Sequence, residues 1–188
     1  MASDPLTHTF GPHAYLRLPV LQDARPFLAA ARASRSLHQN WVRPPQTVDA
    51  FASYVERYAE DFAVAPGSAR QVGWLLCRRD DHVLLGVFNL SEIVRGAFQS
   101  AYLGYYAFSP NAGQGYMAEG LALVLRMAFR TLKLHRIEAN IQPQNQRSVA
   151  LVRAAGFARE GYSRRYVKIA GRWRDHERWA MLSEDWRR

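Results

Sequence analysis

The stretch 102-YLGYYAFSPNAGQGYMAEGLALVLRMAFRTLKLHRIEANI-141 decides the architecture of this chain. Residues 101–108 alternate as a strand, and 111-NAGQG-115 is a glycine-rich loop. Residues 116–132 place Leu121, Val124, Leu125, Ala128 and Leu132 on one helical stripe, and 136–141 alternate again. Strand, helix and strand in that order predict a parallel crossover with the glycines at its first turn.

Working outward, 71–78 and 82–93 read as two further strands, with turns at Asp80-Asp81 and around Arg95-Gly96, so the strand before the glycine loop ends an antiparallel meander. Beyond the crossover Pro143 breaks the strand, and a helix over 146–155 stops at Gly156, a natural left-handed cap. Two long strands, 157–169 and 172–182, join at Ala170-Gly171. Toward the N-terminus a short strand spans 14–20, and an Ala-rich helix over 22–36 admits Pro26 only in its first turn. Arg43-Pro44-Pro45 is a stop, after which Thr47 caps a helix reaching Phe62 and ended by Pro66-Gly67. No repeat or linker interrupts the chain, so one domain over 1–188 is expected, with its core at 14–183. The fold class is α/β: a mixed, mostly antiparallel sheet of about seven strands flanked by about four helices.

Composition narrows the partners. The 188 residues carry 25 bases against 16 acids, a net charge of +9, and 23 of the bases are Arg. The excess is lopsided: residues 1–100 carry 10 bases and 9 acids, whereas 101–188 carry 15 and 7. A basic half points to an anionic ligand or partner. Cys77 is the only cysteine, which rules out an internal disulfide, and no His spacing resembles a metal site. With no long apolar run and no secretory pattern at the N-terminus, a cytoplasmic protein without membrane contact is expected.

Between a strand and a helix, Gly113-Gln114-Gly115 can bring backbone N–H groups and the positive end of a helix to a phosphate. The string 113-GQGYMA also fits G-x-G-x-x-A, but a dinucleotide fold needs that motif in its first strand–helix unit with more such units behind it, and here the chain turns antiparallel. A P-loop is excluded because no Lys-Ser or Lys-Thr follows the glycines.

Taken together, 102-YLGYYAF-108, GQGYMAEGL, 135-HRIEANIQPQNQRSVALVRAAGFAREGY-162, 91-SEIVRGAFQ-99 and 172-RWRDH-176 resemble the GNAT superfamily of acetyl-CoA-dependent N-acetyltransferases, and within it the RimJ type. The likeness is strong from about residue 86 to 176 and looser before 70, where a helix ending near Trp41 holds its usual place. It implies a GNAT fold in which the strand before the glycine loop splays from its neighbour and pairs with the pantetheine arm of acetyl-CoA, through Tyr105, Tyr106, Ala107 and Phe108. Against the family's Q/R-x-x-G-x-G/A pattern, Ala112 stands at the first position and Met117 at the last, with Gly115 retained. Backbone N–H groups over Ala112, Gly113, Gln114, Gly115, Tyr116 and Met117 would still hold the pyrophosphate. Asn145 and Ser148 match N-x-x-S, where Asn145 would hold the pantetheine amide and Ser148 the sulfur; Arg147 is assigned to a CoA phosphate. Asn145 also reads as a helix cap.

Acyl transfer to an amine needs a neutral amine, a polarised carbonyl and a proton for the leaving thiolate. At neutral pH, deprotonating an N-terminal α-amine costs about 1 kcal/mol and a lysine about 4–5 kcal/mol, so a modest base suffices for the former. Glu92, at the end of a meander strand, is the candidate base; the alternative for it is a turn carboxylate paired with Arg95. Ser148 is the candidate acid, with Tyr162 and Tyr166 behind it. A backbone N–H near Ala107 or Phe108 would meet the carbonyl oxygen. Glu119 is expected to stabilise its helix and Glu160 to pair with an arginine. Cys77, in the apolar run GWLLC, is expected to be inert. The expected acceptor is a protein N-terminus, as on a ribosomal protein. A small-molecule amine is the alternative, and polycations are disfavoured by the basic charge. A third reading is a non-catalytic ribosome- or RNA-binding protein, carried by Arg159, Arg164, Arg165, Lys168, Arg172, Arg174 and Arg178 interleaved with Tyr162, Tyr166, Trp173 and Trp179. Monomer and homodimer are both compatible with the sequence.

Overall fold

A computed structural model describes residues 8–38 and 41–186. The opening residues 1–7, and 39–40 just before Trp41, lie outside the described residues. Eight strands form one sheet: β1 His8–Phe10, β2 Ala14–Arg17, β3 Val72–Arg78, β4 Leu84–Val94, β5 Ser100–Ala107, β6 Arg136–Ile141, β7 Ala158–Ile169 and β8 Arg172–Leu182. Their spatial order is β1-β2-β3-β4-β5-β6-β8-β7. The β5–β6 pair is parallel and every other neighbouring pair antiparallel, as the glycine-bearing crossover requires. The eighth strand is β1, which pairs His8 with Arg17 and Phe10 with Tyr15. At three residues it is too short to show alternation in the sequence.

The helices are α1 Ala24–Ala33, α2 Arg35–His38, α3 Val48–Val55, α4 Asp61–Val64, α5 Tyr116–Arg126 and α6 Gln146–Ala154. Two helices expected to be continuous are interrupted. A wide turn over Glu56–Glu60 separates α3 from α4, and another over Met127–Thr131 follows α5. The helix expected over 22–36 breaks at Ser34, whose hydroxyl donates to Ala30 O at 2.7 Å and so competes with the backbone ladder. Thr47 caps α3, its Oγ1 accepting from Ala50 N at 3.2 Å.

The central strands of the sheet are buried on both faces. Leu121, Val124 and Val152 of α5 and α6 pack with Leu76, Phe88, Leu103 and Ile137 on one face. On the other, Phe27 of α1 and Phe51 and Tyr54 of α3 pack with Leu75, Val87 and Phe108. β6 shows the alternation this demands, its odd-numbered residues buried and its even-numbered ones half-buried. β3, covered on both sides, reads as a continuous apolar run. No helix among the described residues is long and apolar enough to cross a membrane.

Two contacts strap α1 and α2 to the end of β5. The Ser34 hydroxyl accepts the Ser109 N–H at 2.8 Å, and His38 Nε2 donates to the Ala107 carbonyl at 2.7 Å. A carbonyl partner fixes Nε2 as the donor, and His38 is buried. Gly120 permits the close approach of α5: a Cβ there would lie 2.6 Å from Phe88 Cε2 and 2.9 Å from Leu76 Cδ2.

Two outcomes follow for stability. Gly120→Ala should lose about 1–2 kcal/mol in urea unfolding, because overpacking outweighs the helix preference of Ala; an unchanged midpoint would show that Phe88 and Leu76 move aside freely. Burial pushes the imidazoles of His38 and His176 below the usual histidine value. The unfolded chain therefore takes up protons that the folded chain refuses, so this stability is full above about pH 6.5 and is lost as pH falls through the lower folded values. Between about pH 7.5 and 5 the melting temperature of His38→Gln should fall less than that of the wild-type protein; parallel falls would remove His38 from the effect.

Candidate active site

The parallel pairing of β5 with β6 covers only Ser100↔Arg136, Ala101↔Ile137 and Tyr102↔Glu138. On its other edge β5 stays paired with β4 through Ala107↔Gly86. From Leu103 onward β5 therefore has one edge without a strand neighbour. Phe108 N donates to Leu85 O at 2.8 Å, which makes Leu85 and Phe108 a hydrogen-bonded pair of the antiparallel ladder. The ladder's alternation then turns the peptide groups of Leu103, Tyr105 and Ala107 away from β4, into the gap. His38 takes the Ala107 carbonyl; the Ala107 N–H and the Tyr105 N–H and C=O line the opening. This is the splayed strand expected from the resemblance.

Phe108 needs correcting. Its amide is engaged with Leu85, and its ring is buried edge-on to Phe27 with centroids 5.5 Å apart, so it belongs to the core and not to the cleft. Of the two amides considered for the carbonyl oxygen, Ala107 remains. The Tyr106 ring faces the α3 side, where burial pushes its phenol far above the usual value.

The glycine loop follows directly from β5. Gly113 and Gly115 have φ of 85° and 87°, the left-handed region that glycine occupies without strain. A Cβ at either position would meet nothing within 4 Å, so backbone conformation and not crowding demands glycine there. Gly115 is the N-cap of α5 and offers no side chain, which leaves the first-turn N–H groups of Tyr116 and Met117 without a protein acceptor among the described residues. Ala112 and Gln114 complete this rim. Arg78, which spacing did not single out, reaches the same rim: its guanidinium is held by Asp81 at 2.9 and 2.6 Å and lies 3.4 Å from Asn111 Oδ1.

The far wall is the start of α6. Asn145 caps it, Oδ1 accepting the Ser148 N–H at 3.3 Å, as the capping reading expected. The Tyr105 hydroxyl lies 2.5 Å from Ser148 Oγ and donates to the Ser148 carbonyl at 3.2 Å, closing the gap between β5 and α6 on one face of the sheet. Burial holds the Tyr105 phenol up at about 12, so it is a proton donor at any physiological pH. Arg147 is exposed in the first turn of α6.

On the other face a concavity of about 550 Å³ opens between α3 and the loop before it, lined by Arg43, Tyr54, Arg57, Tyr58, Asn89 and Tyr106. Asn89 is the register partner of Gly104, and Tyr106 lies two residues farther along, so this hollow covers one face of the paired β4 and β5. Glu92 lies away from Tyr105. It is exposed, at φ 48°, where the β4–β5 register slips between Ser91 and Val94. It forms no salt bridge with Arg95, whose Nη1 donates to the Leu132 carbonyl instead.

The remaining candidates are engaged elsewhere. Glu119 reaches sideways, accepting from His13 N at 2.8 Å and Ala14 N at 2.9 Å, and Glu160 pairs with Arg136. The Tyr162 hydroxyl donates to Asp175 at 2.6 Å, and the Tyr166 ring lies edge-on to His176 with centroids 6.2 Å apart. Cys77 is fully buried, with its thiol pushed up by burial, which keeps it protonated. His38 was missed; the signal available was its place four residues after Ser34 on the same helical face.

Residues 13–158 match the acetyltransferase (GNAT) domain. Over 105 residues the chain is 45% identical to a probable N-acetyltransferase, YjcK, of Bacillus subtilis, covering 56% of this chain and 58% of that protein. Over 107 residues it is 43% identical to the [ribosomal protein uS5]-alanine N-acetyltransferase of Escherichia coli, covering 57% and 55%. The aligned part thus spans little more than half the length of these curated relatives. A solved structure of Mycobacterium smegmatis RimJ in complex with CoA-disulfide superposes with a TM-score of 0.83 at 26% identity, covering 95% of this chain and 88% of that one. The splayed β5 edge, the glycine rim behind it and the match over residues 13–158 have one common explanation: the chain belongs to the GNAT acetyltransferase family.

Proposed function

We propose that the chain transfers an acetyl group from acetyl-CoA to a primary amine, and that the amine is the N-terminal α-amine of a protein of the ribosomal type, in the cytoplasm. The observation that carries this is the one-sided pairing of β5, which presents the Tyr105 and Ala107 peptide groups beside a rim of unpaired amides. An extended amide chain ending in a pyrophosphate matches that array: strand-like bonds to the Tyr105 peptide group, and phosphate oxygens on the N–H groups from Gly113 to Met117. Arg147 and Arg78 would add charge to the phosphates.

In the reaction the amine nitrogen bonds to the thioester carbonyl carbon as the C–S bond breaks. One amine proton passes to a base, and the thiolate takes up a proton. Glu92, exposed beyond the Tyr102 end of β5, is the base in this reading and would take the proton through a relay of several waters rather than by direct contact. Ser148 Oγ, ordered by Tyr105, donates toward the sulfur, and the Ala107 N–H faces the carbonyl oxygen. The hollow beside Tyr106 admits the acceptor from the opposite face. It is lined by Arg43 and Arg57 without an acid, which opposes polyamines and suits an uncharged or acidic peptide start. Its volume, within the range of small-molecule pockets, favours a small-molecule amine as the second reading. A non-catalytic role is the weaker reading, because the cleft is built with its amides free and its hydroxyl pair in place.

A screen of acceptors with mass detection tests the assignment: peptides starting with Ala or Ser should gain one acetyl group and spermidine none, and the reverse pattern would reject the N-terminal acceptor. Glu92→Gln should lower kcat at neutral pH about tenfold, roughly the cost of deprotonating an α-amine, with acetyl-CoA affinity in calorimetry unchanged. Full kcat in that variant would remove Glu92 as the base. Ser148→Ala should reduce kcat more than KM for acetyl-CoA; a change in KM alone would make Ser148 a binding residue only.

A further inference from the structure

The charge excess has a definite location in the fold. The β6–β8 pairing ends at Ile141↔Glu177, and β7 is the edge of the sheet, so the tip of the β7–β8 hairpin projects as a two-stranded ribbon. Residues 164–174 of this ribbon contain five bases, Arg164, Arg165, Lys168, Arg172 and Arg174, and no acid. None of the five is in an ion pair among the described residues. The acids on the hairpin are engaged lower down. Glu160 pairs with Arg136, and Glu177 with Arg159 at 3.1 Å. Asp175 accepts the Tyr162 hydroxyl at 2.6 Å and the Arg165 N–H at 2.7 Å. That last bond pins a register slip between Ser163 and Val167 and fixes the shape of the ribbon.

Trp173 stands at the tip. Its side chain is 59% exposed, between Arg172 and Arg174 in sequence and opposite Lys168 across the ribbon. Trp74 and Trp179 are buried; Tyr162 and Tyr166 of the same hairpin are exposed with Trp173, and elsewhere so are Phe10 and Phe98. An exposed indole among cations that form no ion pair offers a base-stacking surface beside phosphate contacts, the combination that holds unpaired nucleic acid strands. We propose that the hairpin tip binds single-stranded RNA through Arg164, Lys168 and Arg172 on the phosphates and Trp173 on a base, independently of the acetyl-transfer cleft. The contact needs no acceptor chemistry, and it would retain the enzyme near proteins that are themselves carried on RNA.

Fluorescence anisotropy with a labelled oligouridine tests this. Five bases set the limit of the salt dependence: log K against log salt should fall with a slope between about −2 and −3.5 over about 50–200 mM salt. The exposed-residue variant Arg164→Glu/Lys168→Glu/Arg172→Glu should lose tenfold or more in affinity and flatten the slope. Trp173→Ala should lose about fivefold or more with the slope unchanged. Acetyl-CoA calorimetry and circular dichroism should match the wild-type protein in both variants. Should the triple variant misfold, the wild-type slope and Trp173→Ala decide the matter. Absence of oligouridine binding, wild-type affinity in Trp173→Ala, or equal binding to polyglutamate or to phosphatidylglycerol vesicles at matched salt would each overturn the proposal. Loss of acetyl-CoA binding in the wild-type protein would instead count against the acetyltransferase reading and leave the RNA result standing.

Discussion

The pairing of β5 with β6 stops at Tyr102↔Glu138, after three residues, while β5 itself runs on to Ala107. Everything distinctive about the molecule is arranged around that interruption. Peptide groups inside a protein that lose a strand partner cost about 1–3 kcal/mol each unless something else satisfies them. Here one carbonyl is met by His38, the gap is bridged on one face by Tyr105 and Ser148, and the rest of the edge is left for a ligand. The sheet can tolerate this because β5 is anchored fully on its β4 side and its flanking residues pack into the two cores.

The glycine loop and the interruption depend on each other. A crossover that leaves β5 and returns through α5 to β6 places the positive end of α5 beside the unpaired edge. Under the proposed recognition by backbone amides, the departures at Ala112 and Met117 would leave the loop competent, because neither position needs a particular side chain for its amide to serve. Gly115 does matter, since its left-handed backbone is what turns the chain into the helix.

The parallel crossover, the antiparallel meander and the C-terminal hairpin were legible because each depends on local patterns: alternation in β6, a helical stripe in α5, turn residues at Gly156 and Gly171. Ser148 and Asn145 were legible as a motif, and the loop glycines as a conformational requirement. What was hidden depends on groups that meet only in three dimensions. His38 contacts Ala107 across 69 residues, and Tyr105 meets Ser148 across 43, so neither pair leaves a trace in spacing. Phe108 was misplaced because strand alternation decides which residue turns its amide outward, and that phase is fixed by the hydrogen bond to Leu85, not by the sequence around it. The helix break at Ser34 was missed because its hydroxyl competes with the ladder while also holding Ser109, a tertiary reason for a local event. Arg95, near enough in sequence to Glu92 to suggest an ion pair, is drawn to Leu132 instead.

Glu119 sits in the first turn of α5, where a carboxylate ordinarily neutralises the helix's positive end. In this protein it is held off the axis by two backbone amides of the β1–β2 turn, and Gly11 is kept small by it, since a Cβ at Gly11 would lie 2.4 Å from its Oε1. The same side chain therefore does two things at once. It fastens the N-terminal hairpin to the crossover helix, and it turns its negative charge sideways, so that an arriving anion meets the end of α5 with less local repulsion. The electrostatic character of the glycine-loop end of α5 is thus set in part by a turn about a hundred residues earlier in the chain, and a change in that turn would be felt at a helix end it never touches.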